Sequence, residues 1–156
     1  MAAKGRSTYW FFNTDESESE GEGAHQRMID QSCIAAWGNC VRHGGAKETL
    51  EQPEYGDTVF LFRAGHGIVA VADVTDEPPT TSTTIFPDGD REFKRPVRNL
   101  RVAAEPLSCS AIREATGYDL PCRHIVCRVK NDSAVKYILR YFADAKKQVL
   151  RRNGRG

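Results

Sequence analysis

The feature that most constrains the fold is a pair of apolar runs separated by three residues. Residues 58–63 read TVFLFR and residues 67–74 read GIVAVADV, with Ala64-Gly65-His66 between them. Both runs are rich in β-branched or aromatic residues, and a short loop containing glycine is typical of a β-hairpin. Nearly every position is apolar, so we predict that both strands lie centrally in a sheet that is covered on both faces.

The length and composition fit one ordinary domain. The chain has 156 residues, and we predict a single domain over residues 1–156 with flexible ends at 1–6 and 152–156. No run of about 18 apolar residues occurs, so no segment is expected to span a membrane. The N-terminus MAAKGRS lacks the apolar region of a secretory signal, and the five cysteines contain no C-x-x-C pair. We therefore expect a cytoplasmic protein with free thiols, without metal or cofactor.

Short strands and helices are predicted along the rest of the chain. Hydrophobic periodicity and turn residues predict strands at 8–13, 92–102 and 124–130, helices at 24–37, 106–117 and from 133 onward, and a helical turn at 46–51. Ser108 or Ser110 is expected to cap the helix at 106–117 and Gly117 to end it, and Asp132 is expected to cap the last helix. Residues 76–90 hold three prolines and form the longest stretch without a predicted element. Loops this long in compact domains are often functional. Strands and helices do not alternate regularly. This pattern predicts an α+β fold with a small mixed sheet, curled or closed into a barrel and flanked by about three helices.

Charge is unevenly distributed although the net charge is only +1. Acidic residues concentrate in 15–22, whereas basic residues concentrate in 91–101 and again near the C-terminus. Such asymmetry permits one cationic face, and an ordinary solvated surface is the alternative. The candidates for binding phosphate groups are Arg91, Lys94, Arg95 and Arg98.

The sequence contains no recognisable catalytic motif. G-x-S-x-G, the P-loop and H-E-x-x-H are all absent, and the four histidines fall in no recognisable relay. A flexible acidic loop is poorly preorganised for acid–base chemistry. We therefore expect a protein that is not an enzyme.

Several aromatic residues stand at predicted element ends. Trp37 ends the predicted helix at 24–37 and is followed by Gly38-Asn39. Phe62 lies near the end of the first hairpin strand. Phe86 and Phe93 flank the Pro-Asp-Gly-Asp turn. Rings at loop mouths suit stacking on a flat base, although each of them taken singly is more often a core-packing residue than a ligand contact.

Three segments together resemble the EVE and YTH branches of the PUA-like superfamily. They are TYWFFNTDES, SCIAAWGNC and YGDTVFLFRAGHGIVAVADVTDEP, which cover residues 8 to about 78. The resemblance is to an aromatic strand with a polar end, a helix ending in tryptophan, and an apolar hairpin. It implies a mixed barrel whose pocket takes a modified base, as in actinobacterial stand-alone proteins that bind 5-methylcytosine in DNA.

The resemblance also implies which residues contact the base. Trp37 matches the first wall of an aromatic cage. Because no tryptophan occurs between residues 76 and 100, the second wall is expected from Phe62, Phe86 or Phe93. The full set implied for the modified base is Asn13, Thr14, Asp15, Trp37, Gly38, Phe62, Arg63 and Phe93.

The expected function is non-enzymatic reading of 5-methylcytosine in double-stranded DNA, which implies a nucleoid-associated protein. The base would be flipped out of the duplex, and phosphate contacts would offset the energy of flipping. Three alternatives stay open: a module that binds modified RNA or tRNA, a PUA-like nuclease, and a protein-interaction module that uses the acidic loop.

Overall fold

The structure, a computed structural model, describes residues 8–14, 23–38, 45–86, 91–121 and 126–153, with side chains described as far as 143. Within these ranges the elements are β1 (Tyr9–Asn13), α1 (Ala24–Gln31), β2 (Cys33–Ala36), α2 (Ala46–Glu51), β3 (Thr58–Arg63), β4 (Gly67–Val74), β5 (Thr80–Thr81), β6 (Phe93–Leu107), α3 (Cys109–Thr116), β7 (Val126–Arg128) and α4 (Asp132–Asn153). Predicted features at 1–6, at Asp15 and in the rest of the acidic tract lie outside the described residues. None of the described helices is long and apolar enough to cross a bilayer.

The sheet has a mixed topology and curls into a half-barrel. Its strand order is β2-β6-β4-β3-β1-β7, and β5 pairs with β6 off this path. β1 runs parallel to β3, and the other pairs are antiparallel. The long strand β6 joins the two parts of the sheet, because its first residues pair with β2 and its later residues pair with β4. The predicted α+β fold with a small barrel-like sheet flanked by helices is confirmed.

Two apolar clusters cover opposite faces of the central strands. Phe12 belongs to the first cluster, with residues of α1, α2 and β2, whereas its neighbour Phe11 belongs to the second, with residues of α3 and α4. Leu61 and Phe60 divide between the two clusters in the same way. Successive side chains of a strand point to opposite faces, so the continuous apolar pattern of the hairpin reflects burial on both sides.

The central hairpin has the predicted bounds in both strands. Gly67 begins the second strand with φ +121°, and a Cβ at this position would lie 2.2 Å from the backbone oxygen of Leu107. Glycine is therefore required here by a close approach between two backbones as well as by the backbone angle.

The prediction of one helix over 24–37 is wrong. α1 ends at Gln31, because Ser32 takes a left-handed conformation with φ +49°. Residues 33–36 are all buried and form β2 instead, with Ala36 paired to Phe93. A short apolar run cannot be assigned to helix or strand by periodicity alone, and here pairing with β6 decides the outcome. Trp37 consequently follows a strand and not a helix.

Other element boundaries also differ from the predictions. The stretch 76–90 contains the short strand β5, and β6 continues to Leu107 beyond the predicted end at residue 102. β7 covers only Val126–Arg128 of the predicted 124–130, and residues 122–125 lie outside the described part.

The ends of the last two helices show how capping sets a boundary. Ser108 caps α3 through its side chain, and Gly117 ends α3 in a left-handed conformation, as predicted. For α4 the side chain of Asn131, rather than that of Asp132, accepts a hydrogen bond from the amide of Ala134. An Asn side chain is as suitable an N-cap as Asp, so composition alone does not separate adjacent candidates.

Candidate functional site

A cavity of about 390 Å³ lies where β2 and β6 meet the start of α2. Three of the residues selected from the sequence line it together, although they lie far apart in the chain. The lining residues are Gly38, Gly45, Ala46, Lys47, Glu48, Arg91 and Phe93. The volume falls within the range of about 300–1,000 Å³ that is typical of small-molecule sites.

Trp37 directly precedes one residue of this lining, Gly38. Its ring packs on the first core cluster, and its centroid lies 6.2 Å from that of Phe86 with the planes tilted by 44°. The indole Nε1 is buried, and within the described part of the chain no acceptor reaches it. A buried donor without an acceptor costs about 1–3 kcal/mol, so this atom favours a bound water or ligand that offers an acceptor.

Glu92 holds the aromatic partner of Trp37 in place. Its buried carboxylate accepts hydrogen bonds from the backbone amides of Thr84 at 3.1 Å, Ile85 at 3.3 Å and Phe86 at 2.5 Å. Three amides on one carboxylate define the path of the 84–86 segment, and they thereby position the Phe86 ring against Trp37. Glu92 carries no signal of this role in the sequence, because a single acidic residue before a strand is usually exposed.

Phe62 does not belong to this site. It is 5% exposed and lies in the second core cluster, on the opposite face of the sheet from Trp37. Its ring packs on Phe11 with centroids 4.9 Å apart. Phe86 is fully buried and supports Trp37 from within the core. Of the three expected second walls, Phe93 alone lines the cavity, and the described residues form no open cage of two facing rings.

The polar residues at the end of β1 stabilise the sheet. The backbone amide and hydroxyl of Thr14 both donate to the carbonyl of Phe62, at 2.9 and 3.0 Å, and Thr14 is fully buried. Thr14 therefore closes the end of β1 onto β3, contrary to the expected base contact. Asn13 pairs with Phe62 in register, and Arg63 pairs with Gly67. Asp15 lies outside the described residues.

The expectation that Arg95 contacts phosphates is wrong, because its side chain is 7% exposed. The guanidinium donates to four backbone carbonyls, those of Leu50 at 2.8 Å, Pro53 at 2.6 Å, Thr75 at 3.1 Å and Glu77 at 3.1 Å. Burial lowers the pKa of Arg95, and the charges of Glu51 and Asp57 oppose that shift. Arginine stays protonated in proteins all the same. Arg95 therefore links α2 to the segment after β4.

The remaining predicted phosphate ligands are dispersed over the surface. Arg91 lines the cavity, whereas the ammonium of Lys94 donates to the amide oxygen of Gln31 at 3.2 Å. Arg98 lies over the ring of Tyr55 at 5.5 Å from its centroid. The basic run in the sequence is therefore not one continuous cationic stripe, because alternate residues of a strand face opposite sides.

Lys47 and Glu48 also line the cavity, and the sequence alone raised no expectation for them. They lie in the first turn of α2, and an oxygen of Glu48 lies 2.8 Å from the position that a Cβ on Gly45 would occupy. The cavity therefore combines an apolar ring at Phe93 with both signs of charge. Gly44-Gly45 before the predicted helical turn was the available signal, although paired glycines also mark ordinary loops.

Cys33 is a buried free thiol, and the described ranges contain no cluster of metal ligands. Burial raises the pKa of the Cys33 thiol to about 11, with the charge of Lys94 opposing and that of Glu92 assisting. Cys33 is therefore a protonated core residue at neutral pH, and the thiolate is the nucleophilic form of cysteine. In the described ranges, no three His, Cys, Asp or Glu side chains cluster closely enough to hold a metal ion.

Comparison with solved structures identifies the fold. Over 89% of this chain and 96% of the other, the protein is similar to a hypothetical protein from Leishmania major, with a TM-score of 0.54 and 15% identity. Over 84% of this chain and 96% of the other, it is similar to a point mutant of the ZmASCH protein from Zymomonas mobilis, with a TM-score of 0.52 and 7% identity. No family model matches the sequence, and no curated protein matches it.

These similarities show that the small mixed fold of curled sheet and flanking helices is shared with both structures. Identities this low carry information about the fold alone, since one fold hosts many functions. The fold that the sequence resemblance implied is therefore supported, and the similarities say nothing about EVE or YTH function.

Proposed function

We propose that the protein is a non-enzymatic reader of a modified base in DNA, with 5-methylcytosine as its ligand, and that it takes the flipped base into the cavity beside Trp37. The observation that carries the proposal is the convergence of Gly38, Arg91 and Phe93 on one cavity. Trp37 directly precedes Gly38 in the chain, and its buried indole N–H has no acceptor among the described residues. The sequence had indicated these three residues for base or phosphate contacts, and the β2–β6 pairing brings Gly38 and Phe93 together.

The cavity has the chemical groups that a methylated cytosine requires. The Phe93 ring offers an apolar surface to the base and its methyl group, and Gly38 leaves open space beside its backbone. The Glu48 carboxylate can accept a hydrogen bond from the exocyclic amino group of cytosine. The cationic side chains of Lys47 and Arg91 complement the flanking phosphates.

The energy of the methyl group sets the size of the effect to expect. Burying one methyl contributes on the order of 1 kcal/mol, which corresponds to about fivefold in affinity. Flipping a base costs a few kcal/mol. Contacts to the rest of the DNA offset this cost, and the modification does not change those contacts. Selectivity must therefore come from a close fit around the methyl group.

The first experiment compares binding of fluorescein-labelled duplexes that differ only in one 5-methylcytosine. We expect the methylated duplex to bind about fivefold more tightly. Phe93→Ala should remove this preference, because the apolar wall is lost. Tyr55→Ala is the matched control, since Tyr55 is an exposed aromatic residue on another part of the surface, and it should keep the preference. Equal affinity of the unsubstituted protein for both duplexes would refute the proposal.

Two further arms separate the alternatives. A matched RNA containing 5-methylcytosine that competes better than the methylated DNA would make RNA the ligand. Cleavage of labelled DNA or RNA in the presence of Mg²⁺, lost in Glu48→Gln, would identify a nuclease. In each case the proposal of a DNA reader would be replaced.

A further inference from the structure

A second and larger concave surface lies at the opposite end of the strand order. It is a groove of about 540 Å³ between the start of β1, the end of β7 and the first turns of α4, and we call it the β7–α4 groove. The residues that matter for its chemistry are Tyr9, Arg128, Lys130, Asp132 and Lys136. β7 is an edge strand of the described sheet, whereas the cavity beside Trp37 adjoins β2 at the far edge.

The groove carries more positive than negative charge. Arg128, Lys130 and Lys136 are exposed, and among the described residues none of their side chains forms a hydrogen bond or an ion pair. The single carboxylate is that of Asp132, which lies in the first turn of α4. An acidic group in that position stabilises the helix dipole, so the carboxylate has a structural role that the three cations do not share.

Tyr9 adds a fixed aromatic surface to the groove. Its ring stacks on Phe60 with centroids 5.9 Å apart and planes 19° apart, and the residue remains partly exposed. In protein–DNA complexes the phosphates and sugars of the duplex are contacted by Arg and Lys and also by polar side chains such as Tyr. The β7–α4 groove combines the same two features.

We propose that the β7–α4 groove binds the phosphodiester backbone of DNA, independently of base modification. This goes beyond base reading, since it assigns a second contact surface that acts on methylated and unmethylated DNA alike. The groove also supplies exposed cations for phosphate contacts, whereas Arg95 is buried and cannot make them. Phosphate contacts of this kind release counterions, and they supply most of the affinity that does not depend on sequence.

Two alternative roles for these charges have different consequences. Charged residues on an edge strand also prevent association of two sheets edge to edge, and in that role they would affect aggregation without affecting DNA. A cationic groove can also take an acidic segment of a protein. An acidic protein segment would need only the positive charge. The concave shape and the fixed ring of the groove therefore favour a nucleic-acid strand as its occupant.

The test measures binding of an unmodified fluorescein-labelled duplex between about 50 and 200 mM NaCl. We expect Lys130→Gln to weaken binding and to reduce the slope of log affinity against log salt by about 0.9, the value for one phosphate contact. The double variant Arg128→Gln/Lys136→Gln should reduce the slope by about twice as much. Arg113→Gln is the matched control, since it also removes one exposed cation and lies outside the groove. The guanidinium of Arg113 lies 3.6 Å from the carboxylate of Asp119.

The outcomes separate this proposal from the base-reading proposal. Groove variants should lose affinity equally for methylated and unmethylated duplexes and should retain the preference for methylation, if one exists. If Lys130→Gln matches Arg113→Gln in affinity and slope, the groove does not bind DNA, whatever the cavity does. Variants that aggregate but keep their affinity for DNA would also overturn the proposal. So would a polyglutamate of equal charge that binds as tightly as the duplex, if the same variants lose that binding.

Discussion

At the scale of single residues, Arg95 shows why residue type and spacing mislead about exposure. It stands within a basic run, yet it shares a side of β6 with the buried Val97. Its planar guanidinium has five N–H donors, and four backbone carbonyls surround it. A sequence does not reveal such carbonyls, because they come from segments that are distant in the chain.

We expect Arg95→Met to lower the free energy of unfolding by about 3 kcal/mol, because buried carbonyls would lose a charged donor. Urea denaturation followed by circular dichroism measures the difference. The neighbouring Arg98→Met is the control, and its loss should stay below about 1 kcal/mol since only an exposed contact with Tyr55 is removed. Equal losses in the two variants would show that Arg95 has no special structural role.

At the scale of elements, the short strand β2 decides where the candidate site forms. Met28, Ile29 and Cys33 recur at helical spacing, and this spacing predicted a helix that continued to Trp37. The structure instead turns at Ser32 and pairs the next four residues with β6. As a result, Gly38 lies beside Phe93 and Arg91 rather than at the end of a helix.

The segment before β6 is the second element that determines the site. The carboxylate of Glu92 accepts three hydrogen bonds from the backbone of residues 84–86, and side chains of α1 hold the same loop through Ile85 and Thr84. The sequence indicated a long loop with possible function, but it contained no sign that the loop is held from within. In the proposed base reading, Glu92 would act only through Phe86 and Trp37, which would make it a positioning residue.

We expect Glu92→Gln to reduce the preference for the methylated duplex while leaving affinity for the unmethylated duplex nearly unchanged. The amide has one oxygen in place of two and directs its own N–H groups at backbone donors, so the Phe86 ring is held less firmly. Glu77→Gln is the control, since Glu77 is an exposed acid in the same long segment. Binding is measured at a temperature where circular dichroism shows both variants folded. An unchanged preference in Glu92→Gln would argue against a positioning role.

At the scale of the whole molecule, local patterns predicted more than long-range arrangements. The hairpin bounds and the cap of α3 followed from composition and turn residues, which act over a few positions. Which residues meet at the cavity depends on the β2–β6 pairing and on the docking of α2, and neither leaves a local signal in the sequence. The division of Phe62 and Trp37 between opposite faces likewise depends on strand register.

The two tryptophans provide the most direct test of the central claim. The indole N–H of Trp10 donates to the carboxylate of Asp57 at 3.0 Å, whereas the buried N–H of Trp37 has no acceptor among the described residues. In a ¹⁵N-labelled protein, each indole gives its own NMR signal. On titration with the duplex that contains 5-methylcytosine, we predict a large shift of the Trp37 signal and little change in the Trp10 signal. The unmethylated duplex should shift the Trp37 signal much less at equal saturation. A Trp37 signal that stays in place while the methylated duplex binds would contradict base reading at this cavity.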